Sequence, residues 1–165
     1  MITRIIIEHF KSIEHLDLEF ADLTVLVGRN AAGKSNIVDA IMFVRDVIRH
    51  GLDRAVSQRH GIDSIRQWTY KGARHVTLTV FVKGSWGNGH LSFTLGSNKG
   101  SYVIKREDAE WKETYENDPI YDEDNELIGF ETTTVRRKYD RDANGMVTIY
   151  TTGITRRTIK PALPR

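Results

Sequence analysis

The 165-residue chain contains no cysteine, which excludes a disulfide scaffold, thiolate metal sites and a cysteine nucleophile. It fits a reducing compartment. There are only three prolines, and no stretch approaches the ~18 consecutive apolar residues of a membrane helix. The first residues are apolar only briefly before Glu8 and His9, so no signal peptide is expected. Net charge is only +2, which removes any global argument for a protein that coats nucleic acid. What remains is an ordinary globular composition, 39% hydrophobic and 28% charged. The length suits one domain.

Charge is unevenly spread along the chain. Residues 1–60 balance eight basic against eight acidic residues. Residues 61–106 hold seven basic residues and one acid, Asp63. Residues 107–131 hold eleven acids against Lys112 alone, and residues 132–165 return to eight basic residues and two acids. Blocks of opposite sign imply either surfaces of opposite sign or solvated loops that pair with each other.

Periodicity outlines the elements. Ile2, Ile5, Ile6 and Ile7 mark a first strand. Leu16, Leu18 and Phe20 alternate with polar residues in a second, after a turn at Phe10-Lys11-Ser12. Leu23-Thr24-Val25-Leu26-Val27 reads as a strand buried on both faces. Ile37, Ala40, Ile41, Val44, Val47 and Ile48 then fall on one helical face, with Asp39, Arg45, Asp46 and Arg49 on the other. Gly51 ends that helix. Leu52 to Ser57 suggests a short helix, Gly61 a break and Ile62 to Ile65 a turn. From His75 to Lys105 period two returns, predicting an antiparallel meander with hairpin loops at Gly84–Gly89 and Gly96–Gly100. The acidic stretch up to Glu126 reads as a long loop. A last hairpin is expected over Phe130–Tyr139 and Met146–Thr152, turning at Asp142-Ala143-Asn144-Gly145. Pro161 and Pro164 place an extended tail over residues 153–165.

One motif carries chemistry. Gly28-Arg29-Asn30-Ala31-Ala32-Gly33-Lys34-Ser35 matches G-x-x-x-x-G-K-[ST], between a predicted buried strand and an amphipathic helix. The two glycines allow a tight turn around an anion. The amides from Asn30 to Ser35 form a nest for phosphate oxygens, reinforced by the helix dipole. Lys34 reaches the outer phosphates, and the Ser35 hydroxyl is a hard ligand for Mg²⁺. The plain alternative is a glycine-rich turn with a solvated lysine.

The opening Ile2-Thr3-Arg4-Ile5-Ile6-Ile7-Glu8-His9-Phe10-Lys11-Ser12-Ile13 resembles the start of ABC-type ATPase heads of the RecF, SMC and OLD-like group. Leu26 to Ile41 resembles their phosphate-loop run, and Asn36 with Asp39-Ala40 separates this group from most nucleotide kinases and small GTPases. Gly51-Leu52-Asp53 and Gly61-Ile62-Asp63-Ser64-Ile65 resemble bacterial RecF-like and OLD-like ATPases. Detailed similarity covers the first half of the chain. It implies an α/β fold: a P-loop NTPase (ABC-ATPase-like) N-terminal lobe, residues 1–60, flanked by an antiparallel β-subdomain, residues 75–152. It implies ATP and Mg²⁺ as cofactors. Gly28, Arg29, Asn30, Ala31, Ala32, Gly33, Lys34, Ser35 and Asn36 would bind nucleotide, with Ser35 on the metal. Lys11 sits where the family has a basic residue near the nucleotide, read either as a phosphate or ribose contact or as a solvated turn lysine.

Two departures stand out. Ala31 replaces the usual glycine. The signature motif, the Asp–Glu pair ending the Walker B strand and the switch histidine are also missing. The only Asp-Glu pair, Asp122-Glu123, lies in a polar stretch, and neither Gln58 nor Gln67 follows the meander as a Q-loop glutamine should. The chain therefore reads as an N-terminal half: a truncation, a fragment or one piece of a split protein. The expected partners are a C-terminal half or second subunit, a second copy in a homodimer, and DNA, in the cytoplasm and without a membrane, serving repair or phage defence. No catalytic residue is assigned. A non-catalytic, nucleotide-dependent interaction module is the alternative, and a small P-loop kinase ranks last because a β-meander stands where a kinase has its lid.

The remaining candidates are weaker. The six histidines show no metal spacing. Asp122, Glu123, Asp124 and Glu126 could hold a cation or simply face solvent. Arg136-Arg137-Lys138 and Arg156-Arg157 could contact a DNA backbone, with Tyr139 and Tyr150 stacking on bases or packing as strand aromatics.

Overall fold

The computed structural model describes residues 1–69 and 72–159. Pro161 and Pro164 lie outside the described residues. Strands β1 (Ile2–Phe10) and β2 (Ile13–Glu19) form the expected hairpin. Helices α1 (Lys34–His50) and α2 (Leu52–Ser57) follow, separated by Gly51 at φ 81°. A single 3₁₀ turn at Ile62–Ser64 leads to a two-residue ribbon, β3 (Trp68–Thr69) with β4 (Gly72–Ala73). The chain then meanders through β5 (Val76–Lys83), β6 (Gly87–Asn98), β7 (Ser101–Tyr121), β8 (Leu127–Arg141) and β9 (Val147–Ile159). All pairings are antiparallel, and the large sheet runs β2-β1-β5-β6-β7-β8-β9.

Register sorts the side chains. Leu18, Ile5, Val80, Leu91, Ala109, Tyr139 and Ile149 are successive cross-strand partners, so they form one row across the whole sheet. Helix α1 lies on this apolar face. Phe43 is fully buried, its ring 6.1 Å from Phe10 and 6.0 Å from Phe93. With Ile5, Ile7, Leu78, Leu95 and Ile62 it forms the core. The opposite face is polar, crossed by Thr77–Thr94 and Thr79–Ser92 hydroxyl pairs.

Several expectations need correction. The run Leu23–Val27 is not a strand: Leu23, Val25 and Val27 are 82%, 70% and 90% exposed. A β-branched run is buried only where strands flank it, and among the described residues none does. Helix α1 consequently packs on β1 and β5 rather than on residues 23–27. Its buried positions are Ala40, Phe43, Val44 and Asp46, while Ile48 is exposed. Asp46 is inward because α2 and Arg59 cover that flank.

The acidic stretch is also not a loop. Residues 101–121 are one long strand, and the hairpin after it extends to Ile159, taking in half of the expected tail. The two charge blocks do pair, strand against strand. Arg136 meets Glu110 at 3.1 Å, Arg137 meets Glu113 at 2.9 Å, and Arg141 lies 3.8 Å from Glu107. Cross-strand opposite charges stabilise a sheet where charge composition alone suggests a loop. Among the described residues no helix is long and apolar enough to cross a membrane.

Candidate nucleotide site

The phosphate loop leaves residues 23–27 and turns into α1. Ala31 and Gly33 both adopt left-handed backbone, at φ 64° and 88°. Gly33 is the cap of α1, has no side chain to satisfy the first helical amides, and the first turn carries no acid. Among the described residues the amides of Gly33, Lys34 and Ser35 have no acceptor, whereas those of Asn36 and Ile37 bond to the Gly33 carbonyl. Free amides at the positive end of a helix 17 residues long favour an anion. Gly28 behaves differently. Its φ is not in the left-handed region, and a Cβ there would meet Ala32 Cβ at 3.7 Å, an ordinary contact. The conformational need for glycine falls on Gly33.

Lys34 folds back onto the loop. Its Nζ donates to the Gly28 carbonyl at 2.6 Å and to the Arg29 carbonyl at 2.7 Å. Ser12 and residues 30–36 line an open cavity of about 450 Å³. Ser12 was not among the residues singled out from the sequence. It precedes the loop by sixteen positions in the Phe-Lys-Ser turn, and that motif was the available signal.

The residues that distinguish this loop have visible anchoring roles. Asn36 Nδ2 donates to Ser12 Oγ at 2.7 Å. Asp39 meets Lys11 Nζ at 2.7 Å and the Arg59 guanidinium at 3.0 Å. Arg59 also bonds Asp46 at 3.1 Å and lies 4.9 Å from the Phe43 ring. The Arg45 hydrogen bond, followed by that of Arg59, holds the Asp46 carboxyl below the ordinary carboxylate range. The network clamps the β1–β2 turn, the start of α1 and the chain after α2 into one unit. Lys11 is thus paired to Asp39, at the margin of the loop rather than among its lining residues.

The other candidates fall elsewhere. Asp122 Oδ1 accepts the amides of Asp124 and Glu126, closing the β7–β8 turn, and Asp142 repeats this with Asn144 and Met146. Gln67 bonds His9 at 3.0 Å. Arg136 and Arg137 face opposite sides of the sheet in their ion pairs. Tyr139 lines the apolar groove beside α1, while Tyr150 is exposed on β9. The side chain of Arg157 lies outside the described residues.

A cradle of free amides, one ammonium and one exposed hydroxyl suits a polyphosphate with a divalent cation. Residues 1–59 match the family described as RecF/RecN/SMC N-terminal domain. The chain is 36% identical over 108 residues to the DNA double-strand break repair Rad50 ATPase of Sulfurisphaera tokodaii. That match covers 64% of this chain and 10% of the relative, so the chain spans about a tenth of the length of the curated relative it matches. A structure solved for work on ATP-driven dimerization and DNA-stimulated activation of SMC ATPases is similar at 21% identity and a TM-score of 0.33, over 95% of this chain and 71% of that one.

Proposed function

We propose that this chain is the N-terminal part of a RecF/SMC-type ABC ATPase head, a reading supported by the family match over residues 1–59 and by the Rad50 relative, and that its phosphate loop binds ATP with Mg²⁺. The observation that carries the reading is the loop itself. Ala31 and Gly33 take left-handed backbone, the amides of Gly33, Lys34 and Ser35 have no acceptor among the described residues, and all of these residues line the cavity. The bound metal would supply charge neutralisation between the phosphates, with Ser35 Oγ as its protein ligand. Lys34 would exchange two carbonyl partners for phosphate oxygens, so its ammonium is satisfied both with and without ligand. Asn36, Asp39 and Lys11 would position the loop, and Arg29 would neutralise charge at its rim.

A complementing C-terminal half or second subunit is the proposed protein partner. Residues 23–27 support it, since their exposed apolar run has the composition of a strand that lacks neighbours. DNA is the proposed client, in repair or phage defence in the cytoplasm. The name of the archaeal relative supports the repair role. Calorimetric titration with ATP and Mg²⁺ tests the central claim. Saturable binding by the chain and none by Lys34→Ala is expected; equal affinity in the two removes the site.

A further inference from the structure

The outermost strand, β9, ends the large sheet, and among the described residues nothing pairs with its outer edge. Alternate residues of an edge strand turn their N–H and C=O groups outward, which makes the edge a template for another strand. Natural edges are usually blunted by lysine, proline or a bulge. Residues 147–155, Val-Thr-Ile-Tyr-Thr-Thr-Gly-Ile-Thr, contain no charge and no proline, and their pairing with β8 runs without a register shift. Tyr150 is 55% exposed and Ile154 is 58% exposed, both on the polar face of the sheet.

We infer that β9 is a self-pairing edge, and that two copies of this chain join antiparallel through it about a two-fold axis at Thr152. A two-fold perpendicular to the sheet keeps each side chain on its own face, so residues of equal parity meet. Centred on Thr152, the register sets Tyr150 of each copy against Ile154 of the other. Aromatic against β-branched is among the favourable cross-strand pairs. Arg156 then faces Thr148, and the two Arg156 residues stand roughly 27 Å apart, well beyond the screening length of physiological salt. Centring on Thr151 instead sets Ile149 against Gly153 and loses both apolar pairs. Centring on Gly153 sets Tyr150 against Arg156.

A groove beside the edge supports the same register. Lys112, Thr134, Arg136, Thr152, Ile154 and Arg156 line about 240 Å³ on this face. A tyrosine ring arriving next to Ile154 would lie over that groove, and an aromatic face over a guanidinium is attractive. The contact is small, so the assembly dissociates on dilution. It needs no nucleotide and goes beyond the phosphate-loop reading.

Sedimentation of the full chain over a range of concentrations, without nucleotide, tests the inference. The wild type is expected to pass from monomer to dimer as concentration rises. Thr152→Lys and Thr152→Glu set like charges directly opposite each other at the axis, so each alone should remain monomeric. Thr152 is exposed, so circular dichroism should show both folded. An equimolar mixture of the two should recover the dimer, because only the mixed pair brings opposite charges together. Lys34→Ala should dimerise like wild type, which separates this contact from nucleotide binding. A wild type that stays monomeric, or a Thr152→Lys variant that associates as well as wild type, overturns the inference. The second result would place association elsewhere, with residues 23–27 the first suspect.

Discussion

Lys34 is tied to Gly28: the ammonium sits 2.6 Å from the carbonyl oxygen six residues back, at the far end of its own loop. The loop is thereby closed without any ligand, and nothing in the core depends on that side chain. Lys34→Ala is therefore expected to abolish ATP binding in calorimetry while shifting the thermal midpoint little. Ser35→Ala should retain binding and lose most of its Mg²⁺ dependence.

Ala31 occupies left-handed backbone, where an L side chain costs about 1–2 kcal/mol. Ala31→Gly removes that strain but adds freedom to the unfolded chain, which offsets part of the gain. A net stabilisation of about 0.5–1 kcal/mol is expected in denaturant melts. A destabilised variant would show that the alanine methyl makes a contact worth more than its strain.

Helix α1 separates core from surface clearly enough to be tested by two substitutions. Phe43→Ala empties a site touching Phe10 and Phe93 and should cost about 3–5 kcal/mol. Ile48, 68% exposed, should tolerate alanine within ~0.5 kcal/mol. Equal losses at the two positions would mean the helix is rotated.

Tyr102 donates to Asp53 at 2.7 Å, joining β7 to α2. Burial first, then the Asp53 carboxylate, pushes its hydroxyl up to about 12. The folded state thus holds this proton more tightly than the unfolded chain, whose tyrosine titrates near 10. The resulting stability is fully present below about pH 10 and is lost as pH rises toward 12. Wild type should lose stability across that window more steeply than Tyr102→Phe, as read by thermal melts at stepped pH.

Turnover should be negligible for this chain alone. A phosphate loop supplies ground-state contacts, whereas rate acceleration needs groups acting on the transition state. Asp122, in the only Asp-Glu pair, already accepts two amides of its own turn. Robust Mg²⁺-dependent hydrolysis, lost in Lys34→Ala, would mean that a carboxylate of this chain orients the attacking water.

Much of this was readable from residue spacing. The β1–β2 hairpin, the loop, the Gly51 break and the 3₁₀ turn all follow from local patterns that need no distant partner. The failures share a cause. Leu23–Val27 has the composition of a buried strand, but burial is a property of neighbours. Residues 107–121 look like a solvated loop until the cations of β8 are set beside them. Asp46 reads as a surface residue on its own helix and becomes an inward one only because Arg59, thirteen residues later, reaches it. The anchoring roles of Ser12, Asn36 and Asp39 were likewise invisible, since each depends on two turns meeting in space.

The apolar row from Leu18 to Ile149 crosses a sheet whose two halves are held by different forces. From β2 to β6 the strands rest on Phe43 and its neighbours. From β7 to β9 the side-chain links that add to the backbone ladder include the β7–β8 ion pairs of Arg136, Arg137 and Arg141 and threonine hydroxyl pairs. Added salt weakens partly exposed ion pairs and leaves apolar burial intact or strengthened. The two halves should therefore answer ionic strength differently. In amide hydrogen exchange, protection of Glu110 to Thr114 and their β8 partners should fall as salt rises, while that of Ile5, Ile7 and Leu78 holds. The outer strands then behave as a salt-tuned flap on a fixed base, and the charge blocks of the sequence set where the fold opens first.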